Sequence, residues 1–302
     1  MQEFEMLSKI RNIFKTKDRN ILVGIGDDAA VIGLDASEHL VFATDMIVEG
    51  IDFKIRNKND AFLAGRKSLA INLSDIAAMS GIPLYCVVGV VLPDKYGWQI
   101  LKKIAKGIKH IADQFDVQVV GGDLSSGKYL QITIAIIGKT KNKKFITRKG
   151  AKIADRILVT GSLGGSIKGR HLKFIPRLKE AQSLVKNFKI NSMIDISDGL
   201  GSDIKRICEE SKTGCRIYAK SIPLSKDAKD VHSALNDGED FELLFTADQE
   251  QAKNIIKQAK DKIEVKITDI GEILPKSKGM YLEFEKGESI KIQAMGYEHF
   301  KN

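Results

Sequence analysis

Apolar positions along the chain recur first at every second residue and then at every third or fourth, and each change of period marks an element. Leu40 to Thr44 and Tyr85 to Leu92 read as strands, Gln118 to Val120 as a third, short one, and Leu130, Ile132, Ile134 and Ile136 set a period-two strand over Leu130 to Gly138. Two helices fall between them. Asn59 or Asp60 caps the first, which runs to Met79 and stops at Gly81 and Pro83; Asp94 opens the second, with Ile100, Ile104, Ile108 and Ile111 on one face. A basic stretch, Lys139 to Lys144, reads as a hairpin or linker surface. The pattern then restarts with a strand over Arg156 to Thr160 and a glycine-rich run from Gly161 to Gly169. A helix from Pro176 to Asn187, a strand over Met193 to Ile196 and a helix from Leu200 to Lys212 ended by Gly214 come next. Phe241 to Thr246, a helix over Gln249 to Ala259, and strands near Lys266 to Gly271 and Met280 to Phe284 complete the series. Two α/β domains, about 1–140 and 145–302, are the natural division.

Composition narrows the class. With 302 residues, 43% of them hydrophobic, the chain can bury a full core. Charges interrupt Met1 to Phe14, so no signal-peptide core is expected there, and the longest apolar run is too short to cross a bilayer. Three cysteines without a C-x-x-C pair, and five histidines without metal spacing, point to a reduced cytoplasmic setting and to oxygen ligands for any metal. The net charge of +9 is dispersed, as in Lys102, Lys106 and Lys109, and no aromatics interleave with it, so neither nucleic acid nor membrane is an expected partner.

The informative feature is where the aspartates fall: Gly26-Asp27-Asp28-Ala29-Ala30, Thr44-Asp45, Ser74-Asp75, Gly121-Gly122-Asp123 and Asp195-Ile196-Ser197-Asp198-Gly199-Leu200. Most follow an apolar strand beside a small residue, where ligands approach α/β domains. Each alone could be a turn, a cap or a solvated charge. Converged, they would repel one another by roughly 1 to 4 kcal/mol per close pair, a cost that a divalent cation removes. Carboxylates with a hydroxyl such as Thr44 suit magnesium bridging a polyphosphate. No P-loop and no protein-kinase motif occurs, and Gly161 to Ser166 is only a weak candidate for a phosphate cradle.

Read in order, Gly24 to Ala30, Thr44-Asp45 with Glu49-Gly50, Asn72-Leu73-Ser74-Asp75-Ile76-Ala77-Ala78-Met79 and Gly121-Gly122-Asp123 resemble the amino-terminal domain of the thiamine-monophosphate kinase family. Arg148 with Gly150-Ala151, the Asp195 to Leu200 motif, Gly238-Glu239-Asp240-Phe241-Glu242-Leu243 and Gly296 to Phe300 continue the match over nearly the whole chain. The superfamily also holds aminoimidazole ribonucleotide synthetase and selenophosphate synthetase. The resemblance implies the two-domain α/β (α+β) fold of that superfamily, dimeric through the amino-terminal sheet, with ATP and magnesium in the cleft between domains. By match of position, Asp28, Thr44, Asp45, Asp75, Asp123, Asp195 and Asp198 would bind several magnesium ions. Gly122, Asp123, Arg148 and Ser197 would contact ATP, Arg148 and Asp198 would act in catalysis, and Glu239 and Tyr297 would contact the acceptor; Asp52 would either join them there or merely end a turn before Phe53. The implied reaction is phosphorylation of thiamine monophosphate to the diphosphate. The alternatives are another acceptor within the superfamily, or a binding protein that has lost catalysis. Asp52 stands where the family usually has a histidine, Leu124 follows the G-G-D where a threonine is usual, and the segment from Gly164 to Pro176 is short.

Overall fold

The computed structural model describes residues 19–23, 27–33, 38–292 and 296; Tyr297 and Gly24 to Gly26 lie outside them. The amino-terminal half forms a six-stranded sheet from β1 (Ile21–Val23), β2 (Ala30–Gly33), β3 (His39–Val48), β4 (Ile82–Leu92), β5 (Gln118–Ser126) and β6 (Gln131–Lys139), in the order β1-β2-β3-β6-β4-β5. Only the β4–β5 pair is parallel. Helices α1 (Lys58–Ala78) and α2 (Trp98–Gln114) cover one face. Asn57 caps α1 by accepting from the Asn59 and Asp60 amides, two or three residues earlier than the sequence suggests, and α2 starts after Gly97 without any cap from Asp94.

The two helices are built differently. α2 is amphipathic, with Ile104, Ile108 and Ile111 buried and its lysines outside. α1 carries small and apolar residues all round, and of residues 64–81 only Asp75 escapes full burial. Such a helix must be enclosed, and α1 is: it packs on the first sheet, on α2 and on the second half of the chain. Gly65 and Gly107 let α1 and α2 touch backbone to backbone, because a Cβ at either would collide with a carbonyl of the other helix.

The second half forms a seven-stranded sheet, ordered β13-β12-β9-β11-β7-β10-β8. Its strands are β7 (Arg156–Thr160), β8 (Ser192–Asp195), β9 (Thr213–Tyr218), β10 (Leu243–Ala247), β11 (Ile267–Pro275), β12 (Met280–Glu283) and β13 (Ser289–Lys291). Helices α3 (Leu178–Asn187) and α6 (Gln249–Lys262) lie on the face turned to α1, and one continuous apolar core joins them to the first sheet. Helices α4 (Leu200–Ser211) and α5 (Val231–Asn236) pack with a separate core on the other face. Lys212, in the left-handed region at φ 57, ends α4; Gly214, expected to do so, belongs to β9.

The period-two set Leu130, Ile132, Ile134 and Ile136 is fully buried within the chain under α1, so it is not the surface that asks for a partner. The apolar residues left open lie on the opposite face of the first sheet: Phe42, Met46, Tyr85 and Val87 are each more than 40% exposed.

Candidate active site

Three aspartates from distant segments meet where the two halves join. Asp28 sits in the bend before β2, Asp75 near the end of α1 and Asp195 at the end of β8, and each offers a carboxylate oxygen within 4.8 Å of the others. Their placement follows from local structure. Asp75 takes the position on α1 that faces the joint, and its neighbour Ser74 donates a buried hydrogen bond of 2.6 Å to Asp195 Oδ2. Asp45 lies on the helix-covered face of β3, its amide donating 3.1 Å to Asn72 Oδ1 of α1. The Asn72 to Met79 segment thus ties all three regions together.

The cluster is electrostatically unbalanced. Burial first, then the charges of Asp45, Asp195 and Asp28, pushes the Asp75 carboxyl well above the usual carboxylate range, and burial with Asp28 does the same to Asp195. Burial lifts Asp45 to about 6 against a hydrogen bond with Asp75, and burial with Asp28 lifts Asp27 to about 7. Arg148 is the main internal counterweight. Its Nη2 bonds Asp28 Oδ1 at 2.7 Å and its amide approaches both oxygens of Asp27 at 3.3 and 3.4 Å. Burial opposes the charge of Arg148, yet its aspartate partners outweigh burial and keep it protonated.

Asp28 Oδ2 is buried without a hydrogen-bond partner. A buried carboxylate oxygen left open, among carboxylates too close to be ionised together, fits a hard divalent cation with oxygen ligands. Asp28, Asp75 and Asp195 would hold it.

Other expected residues stand elsewhere. Thr44 lies on the opposite face of β3 from Asp45 and donates 3.0 Å to the Ile134 carbonyl, so its hydroxyl does not join the cluster. Gly122 and Asp123 lie inside the exposed edge strand β5, which is longer than the three residues expected. By register Asp123 aligns with Gly89, Thr133 and Met46, on the Thr44 face and three strands from β3, roughly 14 Å at ordinary strand spacing. A Cβ at Gly122 would strike the Val88 carbonyl, so strand packing alone requires a glycine there. The glycine-rich loop is no open phosphate cradle: the Gly164 amide donates to Asp240 at 2.8 Å and the Gly165 amide to Asp237 at 2.9 Å. Asp52 closes its own turn, accepting 2.7 Å from the Val48 amide.

Asp198 borders the cluster and pairs with Arg206, which also holds the buried Asp203. Ser197 gives its carbonyl to the Glu239 amide at 2.6 Å, stitching the Asp195 loop to the Gly238 to Phe241 turn. Asp27, Ser74, Asp203 and Arg206 were not singled out as site residues from sequence. Asp27 adjoins Asp28 and Asp203 lies one turn into α4, so proximity in sequence was a usable signal for both. Lys67 and His171 were missed as well, and nothing marked them. Lys67 is fully buried, and its Nζ contacts Glu239, His171 Nδ1 at 3.1 Å and the Asp52 carbonyl at 3.1 Å.

Comparison with known proteins places this geometry among relatives. The N-terminal domain of AIR synthase related proteins matches residues 26–140 and their C-terminal domain matches residues 143–282. A thiamine-monophosphate kinase of Buchnera aphidicola subsp. Schizaphis graminum is 36% identical over 99% of this chain and 98% of its own length. One from Rhodopirellula baltica is 34% identical over 92% of each. The solved structure of AaThiL complexed with AMPPCP and TMP superposes with a TM-score of 0.84 at 25% identity, covering 99% of this chain and 97% of that one.

Proposed function

The chain belongs to the thiamine-monophosphate kinase family of AIR synthase related proteins, and from that premise we propose that it transfers the γ-phosphoryl group of ATP to the phosphate of thiamine monophosphate, giving thiamine diphosphate and ADP. The observation that carries this reading is the meeting of Asp28, Asp75 and Asp195 from three segments, with one oxygen of Asp28 left open. Magnesium, held there, would neutralise the carboxylates and the charge of the ATP phosphates.

The rest of the chemistry asks little of the protein. An acceptor phosphate oxygen attacks the γ-phosphorus, and the bond from that phosphorus to the β-γ bridging oxygen breaks. The acceptor is already ionised near neutral pH, so no general base is needed and catalysis reduces to alignment and charge neutralisation. Arg148, kept charged beside Asp28, supplies a fixed positive charge at the phosphate end. Asp45, Asp198 and Ser197 frame the same end; Glu239, on the turn stitched to Ser197, faces the acceptor.

We further propose a cytoplasmic homodimer built on the open face of the first sheet. Phe42, Met46, Tyr85 and Val87 supply its apolar area, and Thr44 and Asp123 share that face, so pairing of two copies puts both at the joint between them. No helix among the described residues is long and apolar enough to cross a membrane.

Incubation of the purified protein with ATP, magnesium and a panel of phosphorylated acceptors, with products identified by mass, tests the proposal. Thiamine diphosphate with equimolar ADP is the expected result. ADP released only with a different acceptor would overturn the choice of substrate.

A further inference from the structure

Two turns before Asp75, α1 carries a buried lysine whose partners come from both halves of the chain. The Lys67 Nζ meets the Asp52 carbonyl from the first half, and His171 Nδ1 and Glu239 from the second. Glu239 sits at φ 57 and Phe241 at φ 50, left-handed backbone that costs energy in any residue with a side chain. Hydrogen bonds from the Glu239 amide to the Ser197 carbonyl and from the Phe241 amide to the Ile196 carbonyl hold the turn in place. The loop bearing His171 is fixed as well: Arg66, next to Lys67, donates to the Leu172 and Phe174 carbonyls at 3.4 and 2.5 Å, and Phe174 stacks on Phe241 at 4.2 Å between ring centroids.

This machinery orients one carboxylate. Glu239 Oε1 takes Lys67, while Oε2 lies 2.7 Å from His171 Nδ1 but out of line for a hydrogen bond, buried and without a hydrogen-bond partner. The side chain still keeps 20% exposure. Eight residues along a helix is about 12 Å, comparable with the reach of thiamine monophosphate from its phosphate to its pyrimidine ring. The phosphate end of α1 and the Glu239 end are therefore one acceptor length apart.

We propose that Lys67 and His171 are positioning residues for the acceptor, clamping the Glu239 carboxylate so that it receives the amino group of the pyrimidine and selects against acceptors that lack that donor. The proposal rests on the acceptor reading above. A carboxylate held ionised accepts hydrogen bonds only, so an amine satisfies it and a carbonyl in its place does not. Burial works against that charge, but the close approach of His171 and the charge of Lys67 outweigh it and hold Glu239 below the usual carboxylate range.

Calorimetry of thiamine monophosphate, of its analogue with an oxo group in place of the pyrimidine amine, and of the nonhydrolysable ATP analogue AMPPCP tests the clamp without requiring turnover. The full-length wild type is compared with Lys67→Met, Lys67→Arg and His171→Gln. Lys67→Met is expected to weaken thiamine monophosphate about tenfold or more and to erase its preference over the oxo analogue. AMPPCP affinity should stay within about twofold, and Lys67→Arg should recover part of the loss. If Lys67→Met does not fold, His171→Gln carries the same expectation at several-fold. A folded variant that binds both acceptors as the wild type does, or loses nucleotide and acceptor equally, would overturn the clamp. So would a wild type that binds no thiamine monophosphate. Binding without formation of thiamine diphosphate would sink the kinase reading and leave the clamp standing.

Discussion

Eight residues apart on α1, Asp75 and Lys67 both carry charge into the joint between the two sheets, and the protein treats them in opposite ways. Around Lys67 every charge has a partner from the chain itself: Glu239 answers the ammonium, and the Asp52 carbonyl and His171 complete it. Around Asp75 the chain brings more carboxylates than it can balance, with Arg148 bonded to Asp28 on one side and Arg206 to Asp198 on the other. The balanced end is a finished piece of structure that orients one group. The unbalanced end carries an excess of negative charge that a cation fits.

Asp75 carries the largest expected effect. Asp75→Asn should reduce turnover by about a hundred- to a thousandfold, the scale of losing one preorganised electrostatic contact at a transferring group. It should also raise the melting temperature of the cation-free protein, because one of several repelling carboxylates is gone. Lys67→Met should do the reverse to stability, leaving Glu239 buried without its cation. Calorimetric melting of the two variants reads both signs, and a matching sign would erase the distinction between the ends.

Acidity sharpens the contrast. Asp45 and Asp27 titrate at about 6 and about 7 in the fold against an ordinary value of 3.8, so the folded form binds more protons than the unfolded chain between those limits. By linkage the cation-free protein loses stability as pH rises from about 4 through 7. Magnesium favours the ionised carboxylates, so its stabilising effect should grow over the same window. Melting curves at pH 5 and pH 7.5, with and without magnesium, check the sign; a magnesium effect independent of pH would contradict it.

Two smaller effects test regions outside the comparison. Met46→Asp on the open sheet face should shift light scattering toward the monomer, and a variant that stays dimeric would move the interface elsewhere. Asp52→Ala should cost about 1 to 2 kcal/mol of stability through the lost bond to the Val48 amide. A several-fold rise in the Michaelis constant for thiamine monophosphate alone would instead put this carboxylate on the acceptor.

The same contrast explains what could be read from the sequence. The acidic end was legible because its aspartates sit in short motifs with small neighbours, and the strands and helices around them follow apolar period. The balanced end was not: a lysine within a helix and a histidine in a loop are ordinary residues until folding buries them together. Face and register were equally hidden. Thr44 and Asp45 are adjacent in sequence and opposite on the strand. Asp123 sits in a motif that suggests a strand end, yet it lies inside an edge strand whose length its two glycines concealed. The period-two strand is legible as apolar from the sequence, but only the fold shows that α1 covers it.

On the proposed function, the unbalanced end of α1 becomes a phosphoryl-transfer site once a cation fills it. Rapid mixing of enzyme in excess with ATP and thiamine monophosphate, quenched over milliseconds to minutes with and without magnesium, tests it most directly. Thiamine diphosphate and ADP should appear together in a single phase with magnesium, and neither without it. Both substrates bound in the presence of magnesium, with no thiamine diphosphate formed, would contradict it.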